Sequence, residues 1–232
     1  MLSKFPFYLP LIICVILFFV FRFPSIEALI IGYGFILFLN VLATLFSIRG
    51  KIKTRWVFLV QNVLFVLSGL SFFLFLGDIF WQSLFVLVFL LGLGYFFFHL
   101  FKLFNQPRVC QPDALERMSI WQSFIIIYWT LSSFGATLGV NPLGWPFFSG
   151  LPLVFVLFYW LGYYSFFLKS GETGFVKTDL LVISLVLTEI HLAVSFLPLG
   201  FYLNALIISL LYSIIINLWQ KIQQKKLISP MM

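Results

Sequence analysis

Two ionisable side chains, Glu189 and His191, fall inside the apolar run Leu180–Leu199, in company with Ser184, Thr188 and Ser195. A carboxyl group in hydrocarbon is costly, about 2.5–3.5 kcal/mol for a carboxylate-type residue at a helix centre. It marks a candidate functional position unless interhelical hydrogen bonding explains it. Glu189 lies about ten residues from either end of the run, roughly 15 Å from each interface at ~1.5 Å per residue. No Lys or Arg shares that depth, so the surroundings favour the neutral acid. Tyr33, Tyr128, Thr130, Ser209 and Tyr212 stand at comparable depth and are its expected partners.

His191 belongs to another face. Two helical positions turn about 200°, which separates it from Glu189. It aligns with Ser184, Thr188 and Ser195 at spacings of 4, 3 and 4 residues, one polar stripe along the span. Such a stripe carries a proton or a polar solute, or it joins helices through hydrogen bonds worth about 0.6–2 kcal/mol each. Elsewhere Asn40, Gln61, Asn62 and Gln122 occupy the inner halves of their spans, as a polar vestibule or as interhelical contacts. His99, Asp113 and Glu116 could meet a lipid headgroup at one membrane face, although a solvated loop explains the two acids more simply.

Other chemistry is missing from the pattern. No His-Glu-x-x-His, Gly-x-Ser-x-Gly, phosphate loop or dinucleotide fingerprint occurs. Cys14 lies within a span and Cys110 in a loop, with no metal-ligand spacing around either. No catalytic residue, metal site or cofactor is therefore assigned.

The elements that must position these residues follow from composition. The chain has 232 residues, 62% hydrophobic, 21% aromatic and 9% charged, with 33 Phe. Soluble domains carry roughly 25% charged residues, so lipid is the solvent this composition fits. Eight continuous apolar runs read as spanning helices: Phe5–Phe21, Ile26–Phe46, Trp56–Leu76, Ile79–Phe101, Ser119–Val140, Leu151–Leu168, Leu180–Leu199 and Phe201–Leu218. Barrel strands would be half as long and alternating. The first run, after Lys4 and before Arg22, reads as a retained signal anchor.

Loop charge gives the orientation. Of the 14 basic residues, 13 fall on one side: Lys4, Arg49, Lys51, Lys53, Arg55, Lys102, Arg108, Arg117, Lys169, Lys177, Lys221, Lys225 and Lys226, leaving Arg22 opposite. The positive-inside rule puts that side and both termini in the cytoplasm, where these residues can meet anionic lipid headgroups. Spread over short loops, the net charge of +7 forms no nucleic-acid surface. Trp56, Trp121 and Trp219 fall near the inner interface and Trp81 and Trp145 near the outer one, while Trp129 and Trp160 lie deeper. The longest inner loop, Lys102–Met118, contains Pro107 and Pro112, which oppose a regular helix. Two outer turns share a Pro-Leu-Gly-aromatic pattern, Pro142–Trp145 and Pro198–Phe201, from hairpin duplication or from ordinary turn chemistry.

The expectation is an all-α, polytopic transmembrane bundle: about eight helices as four antiparallel hairpins, forming a single integral membrane domain over 1–232 in the plasma (inner) membrane. Three functions stay open. The first is a non-enzymatic subunit or scaffold of a membrane assembly, with membrane-protein partners. The second is a small proton-linked transporter using Glu189 and the stripe around His191. The third is an enzyme acting on lipid headgroups at the cytoplasmic face.

Overall fold

Hydrocarbon leaves backbone N–H and C=O groups no partner but each other, so long apolar runs close their hydrogen bonds as helices. The computed structural model describes residues 5–22, 25–48, 52–105, 112–140, 147–170, 177–197 and 199–228, and every regular element among them is helical. The order is α1 (Phe5–Arg22), α2 (Ile26–Ser47), α3 (Ile52–Phe73), α4 (Ile79–Asn105), α5 (Pro112–Val140), α6 (Phe147–Ser170), α7 (Lys177–Ser195) and α8 (Phe201–Ile228). Six of them, α2, α3, α4, α6, α7 and α8, contain stretches long and apolar enough to cross a bilayer. In α1 the apolar stretch is Tyr8–Leu17, and α5 interrupts its apolar residues with Ser119, Gln122, Ser123, Ser132 and Ser133. The expected all-α architecture forms, and it fits a multipass membrane protein.

Several boundaries differ from the apolar runs. Helix α5 begins at Pro112, inside the segment expected to be a loop, because proline at a first helical position loses only an N–H that has no intrahelical partner. Helix α8 continues to Ile228 rather than stopping at Leu218, and α4 reaches Asn105. Hydropathy locates hydrocarbon, whereas a helix can run on past the apolar stretch. Helix α7 instead stops early, at Ser195.

Local capping explains the reversals. Ser25 precedes α2 and its Oγ accepts from the Ala28 N–H at 3.1 Å. Asp78 does the same work for α4: its Oδ1 accepts from the Phe80 N–H at 2.7 Å and its carbonyl from the Gln82 N–H at 3.0 Å. The Gln82 amide also donates to the Leu76 carbonyl. Asp78→Ala should therefore lower stability by about 1 kcal/mol, read as a shifted midpoint in reversible unfolding from detergent. An unchanged midpoint would mean that water caps α4 equally well. Between α7 and α8, Gly200 takes φ +75°, a left-handed conformation that a Cβ disfavours. The Gly200 carbonyl accepts the Asn204 N–H at 3.1 Å and starts α8.

Contacts divide the chain into two compact units, Met1–Ala114 and Leu115–Met232. In the first, α2 packs against α1 and α3, and α1 against α4. The backbones of α3 and α4 approach less closely, because phenylalanines stand between them. Phe65 stacks on Phe89 and Phe89 on Phe85, each at 5.6 Å between ring centroids, and Phe85 meets Phe72 and Phe73. In the second, α7 packs against α6 and α8. Trp219, expected at the interface, is buried with its ring 4.0 Å from that of Phe166. Trp56, Trp81 and Trp121 are largely exposed, as interfacial indoles would be.

Candidate functional site

Helix α7 displays two faces of opposite character. Ser184, Thr188 and His191 are buried and Ser195 is half-buried, so the stripe lies along the side that packs on other helices. Its hydroxyls are satisfied locally. Ser184 Oγ donates to the Leu180 carbonyl, Thr188 Oγ1 to that of Ser184 and Ser195 Oγ to that of His191, all at 2.8 Å. A hydroxyl that has donated to its own helix still has lone pairs free to accept. The stripe is thus a row of acceptors around one imidazole.

Glu189 is on the other side. It is exposed and makes no hydrogen bond or ion pair with any described residue. Of its expected partners, Ser209 Oγ donates to the Ala205 carbonyl at 2.7 Å, and Tyr212 is buried. Because α7 ends at Ser195, Glu189 stands about 9 Å below that end at ~1.5 Å per residue, nearer it than the sequence implied. Val182, Val186, Ala193 and Phe196 share its exposed face. With Glu189 they recur at spacings of 4, 3, 4 and 3, the 3.5-residue period of a helix–helix seam. Phe196, just past the end of α7, is 73% exposed, which leaves that seam open. The structure does not bring Glu189 and His191 together.

The buried stripe opens into a cavity of about 270 Å³ within the second unit, lined by residues of α5, α7, α8 and the α7–α8 turn. Leu131, Phe134, Leu197 and Phe201 supply apolar walls, and His191, Ser195 and Asn204 the polar ones. Asn204 Oδ1 is buried without a hydrogen-bond partner among the described residues. In the sequence Asn204 looks like an isolated amide near a helix start. Its signal was the Gly-x-x-x-Asn spacing, which turns an amide one helical turn into α8.

The other candidates lie elsewhere in the two units. Asn62 Nδ2 donates to Thr44 Oγ1 at 2.8 Å and to Asn40 Oδ1 at 3.4 Å, while Asn40 Nδ2 donates to the Ile36 carbonyl. These amides are buried and join α2 to α3 in the first unit. Gln61 is fully buried, with both amide atoms unpartnered among the described residues. In the second unit the Tyr164 hydroxyl donates to Gln122 Oε1 at 3.5 Å, and Gln220 Nε2 to the Ser165 carbonyl at 3.4 Å. His99 packs on the ring of its own-helix neighbour Tyr95, with centroids 4.2 Å apart, and Lys102 Nζ lies 4.2 Å from the Phe98 centroid. Lys4, Arg49, Lys51, Pro107, Arg108, Cys110, Pro142 and Trp145 lie outside the described residues, as do the side chains of Asp113 and Glu116.

Among the described residues no group of three or more His, Cys, Asp or Glu side chains is placed to hold a metal ion. Compared with known proteins, the chain matches no family model, no curated protein and no solved structure.

Proposed function

We propose that this multipass membrane protein is a non-enzymatic subunit of a membrane assembly and docks a partner's transmembrane helix along the exposed seam of α7. One observation carries the reading: a carboxyl group exposed on an apolar helix face that no described residue covers. Left against lipid, the group carries its full insertion cost. A neighbouring helix that donates a hydrogen bond removes most of that cost, and Ala193 on the same seam lets a second backbone come close. Orientation follows from the loop charges, with the basic side and both termini in the cytoplasm of a cell bounded by this membrane.

A proton-linked transporter gains less support, because Glu189 points away from the stripe and the cavity that would form its path. The two readings separate on one pair of substitutions. Glu189→Gln keeps size and hydrogen bonding, so the assembly extracted from native membranes should keep its wild-type mass on native electrophoresis and its cellular activity. Glu189→Leu should weaken association about 3- to 30-fold, the worth of one intramembrane hydrogen bond. It would release the lone chain. A null phenotype from Glu189→Gln at normal protein level would overturn the subunit reading, as would a wild-type protein migrating alone.

A further inference from the structure

The cavity beside α7 faces away from the Glu189 seam and calls for an occupant of its own. Its lining is mostly apolar, with Phe134 and Phe201 rings among the walls and a small set of polar groups at one side. A small-molecule site has this composition: apolar body, few convergent polar atoms. The Asn204 amide oxygen is the informative group. It is buried, it borders the cavity and no described residue donates to it. An acceptor taken out of water without gaining a donor costs free energy, so the occupant must supply a donor. His191, 5% exposed, and Ser195 border the same space. Ser195 Oγ, having donated to its own helix, also presents lone pairs.

We infer that this cavity is a binding site for a single-ring hydroxylated amphiphile of the phenol class, its hydroxyl on Asn204 and its ring between Phe134 and Phe201. Three constraints lead there. Size comes first: an apolar cavity of about 150 Å³ takes benzene, so about 270 Å³ takes a ring with a short substituent. Polarity is next. A hydroxyl donates to the Asn204 Oδ1 that lacks a donor among the described residues. Entry is third: Leu197 and Phe201, on the lining, are 46% and 37% exposed, giving a rim that an amphiphile dissolved in the bilayer can reach. Water alone would fill the volume with about nine molecules at ~30 Å³ each, but the four apolar walls would leave most of them short of partners.

The test uses full-length protein in detergent, a diazirine-bearing phenol as photolabel, and 4-butylphenol or its methyl ether as competitor. Labelling should saturate and map to peptides containing Phe134, His191 and Phe201. The free phenol should compete about five- to tenfold better than the ether, which cannot donate, the worth of one buried hydrogen bond. Asn204→Leu, similar in volume, should abolish that difference while leaving ether competition unchanged. Ala205→Phe, which fills the cavity, should remove saturable labelling. Should the latter variant fail to fold, the phenol–ether comparison on wild-type protein decides alone. Non-saturable labelling, equal competition by both compounds, or an Asn204→Leu protein that still prefers the phenol overturns the site.

Discussion

Phe89→Ala should lower the stability of the protein by about 3 kcal/mol, toward the low end of the range for emptying a buried aromatic position. Phe89 is fully buried and stacks on both Phe65 and Phe85 at 5.6 Å between centroids. Those rings are what α3 presents to α4, since the backbones themselves approach sparsely. In lipid, the transfer of apolar surface out of water contributes little to helix association, and packing contributes most. Removing the middle ring therefore forfeits dispersion contacts and two aromatic pairings, each worth about 0.5–1.5 kcal/mol, without a compensating change in hydration. Phe89→Leu keeps an apolar side chain in the gap and should cost about 1 kcal/mol. Reversible unfolding in mixed micelles measures both. If Phe89→Ala falls within about 0.5 kcal/mol of wild type, the stack does not join α3 to α4.

Six of the helices were legible because a long apolar run set in hydrocarbon has no alternative, while α1 and α5 carry shorter or interrupted apolar stretches. Helix ends were poorly legible for the complementary reason. Pro112, Asn105 and Ile228 lie past the apolar stretches that hydropathy reads, yet each is helical. At two of the reversals, Asp78 and Gly200 make the hydrogen bond and the positive φ that such turns need. The division at Ala114 was not legible, since contacts between helices depend on which faces meet.

Faces are also where the site reading divided. Ser184, Thr188 and His191 stood out by spacing alone, because small polar residues in an apolar helix mark one side of it. Glu189 stood out by type, but type does not fix direction. An acid in a span was expected to turn inward, and here it turns outward onto a seam of Val182, Val186, Ala193 and Phe196. When every face of a helix is apolar, periodicity loses its usual reference to water. The cavity residues were less visible still. Gly135, Phe201 and Asn204 lie on two helices and meet only through the fold.

Gly135→Val should lower stability by about 3 kcal/mol, the upper part of the range for overpacking. A Cβ built at Gly135 would lie 2.5 Å from Phe201 Cβ and 3.6 Å from Phe201 Cα. The obstacle is close to the main chain, so no rotation of the Phe201 side chain relieves it. Nor can the backbone yield freely, because Phe201 opens α8 directly after the left-handed Gly200. Either α5 moves away from α8 or the turn is remade, and both routes deform the cavity that the two residues line. Gly34→Val supplies the control. It makes the same chemical change in a helix, but nothing lies within 4 Å of the added Cβ, and it should alter stability by a few tenths of a kcal/mol. Thermal unfolding of the two variants in one detergent separates steric cost from helix propensity. A difference below about 1 kcal/mol would mean that α5 and α8 do not approach closely at Gly135, and the cavity wall there would have to be redrawn.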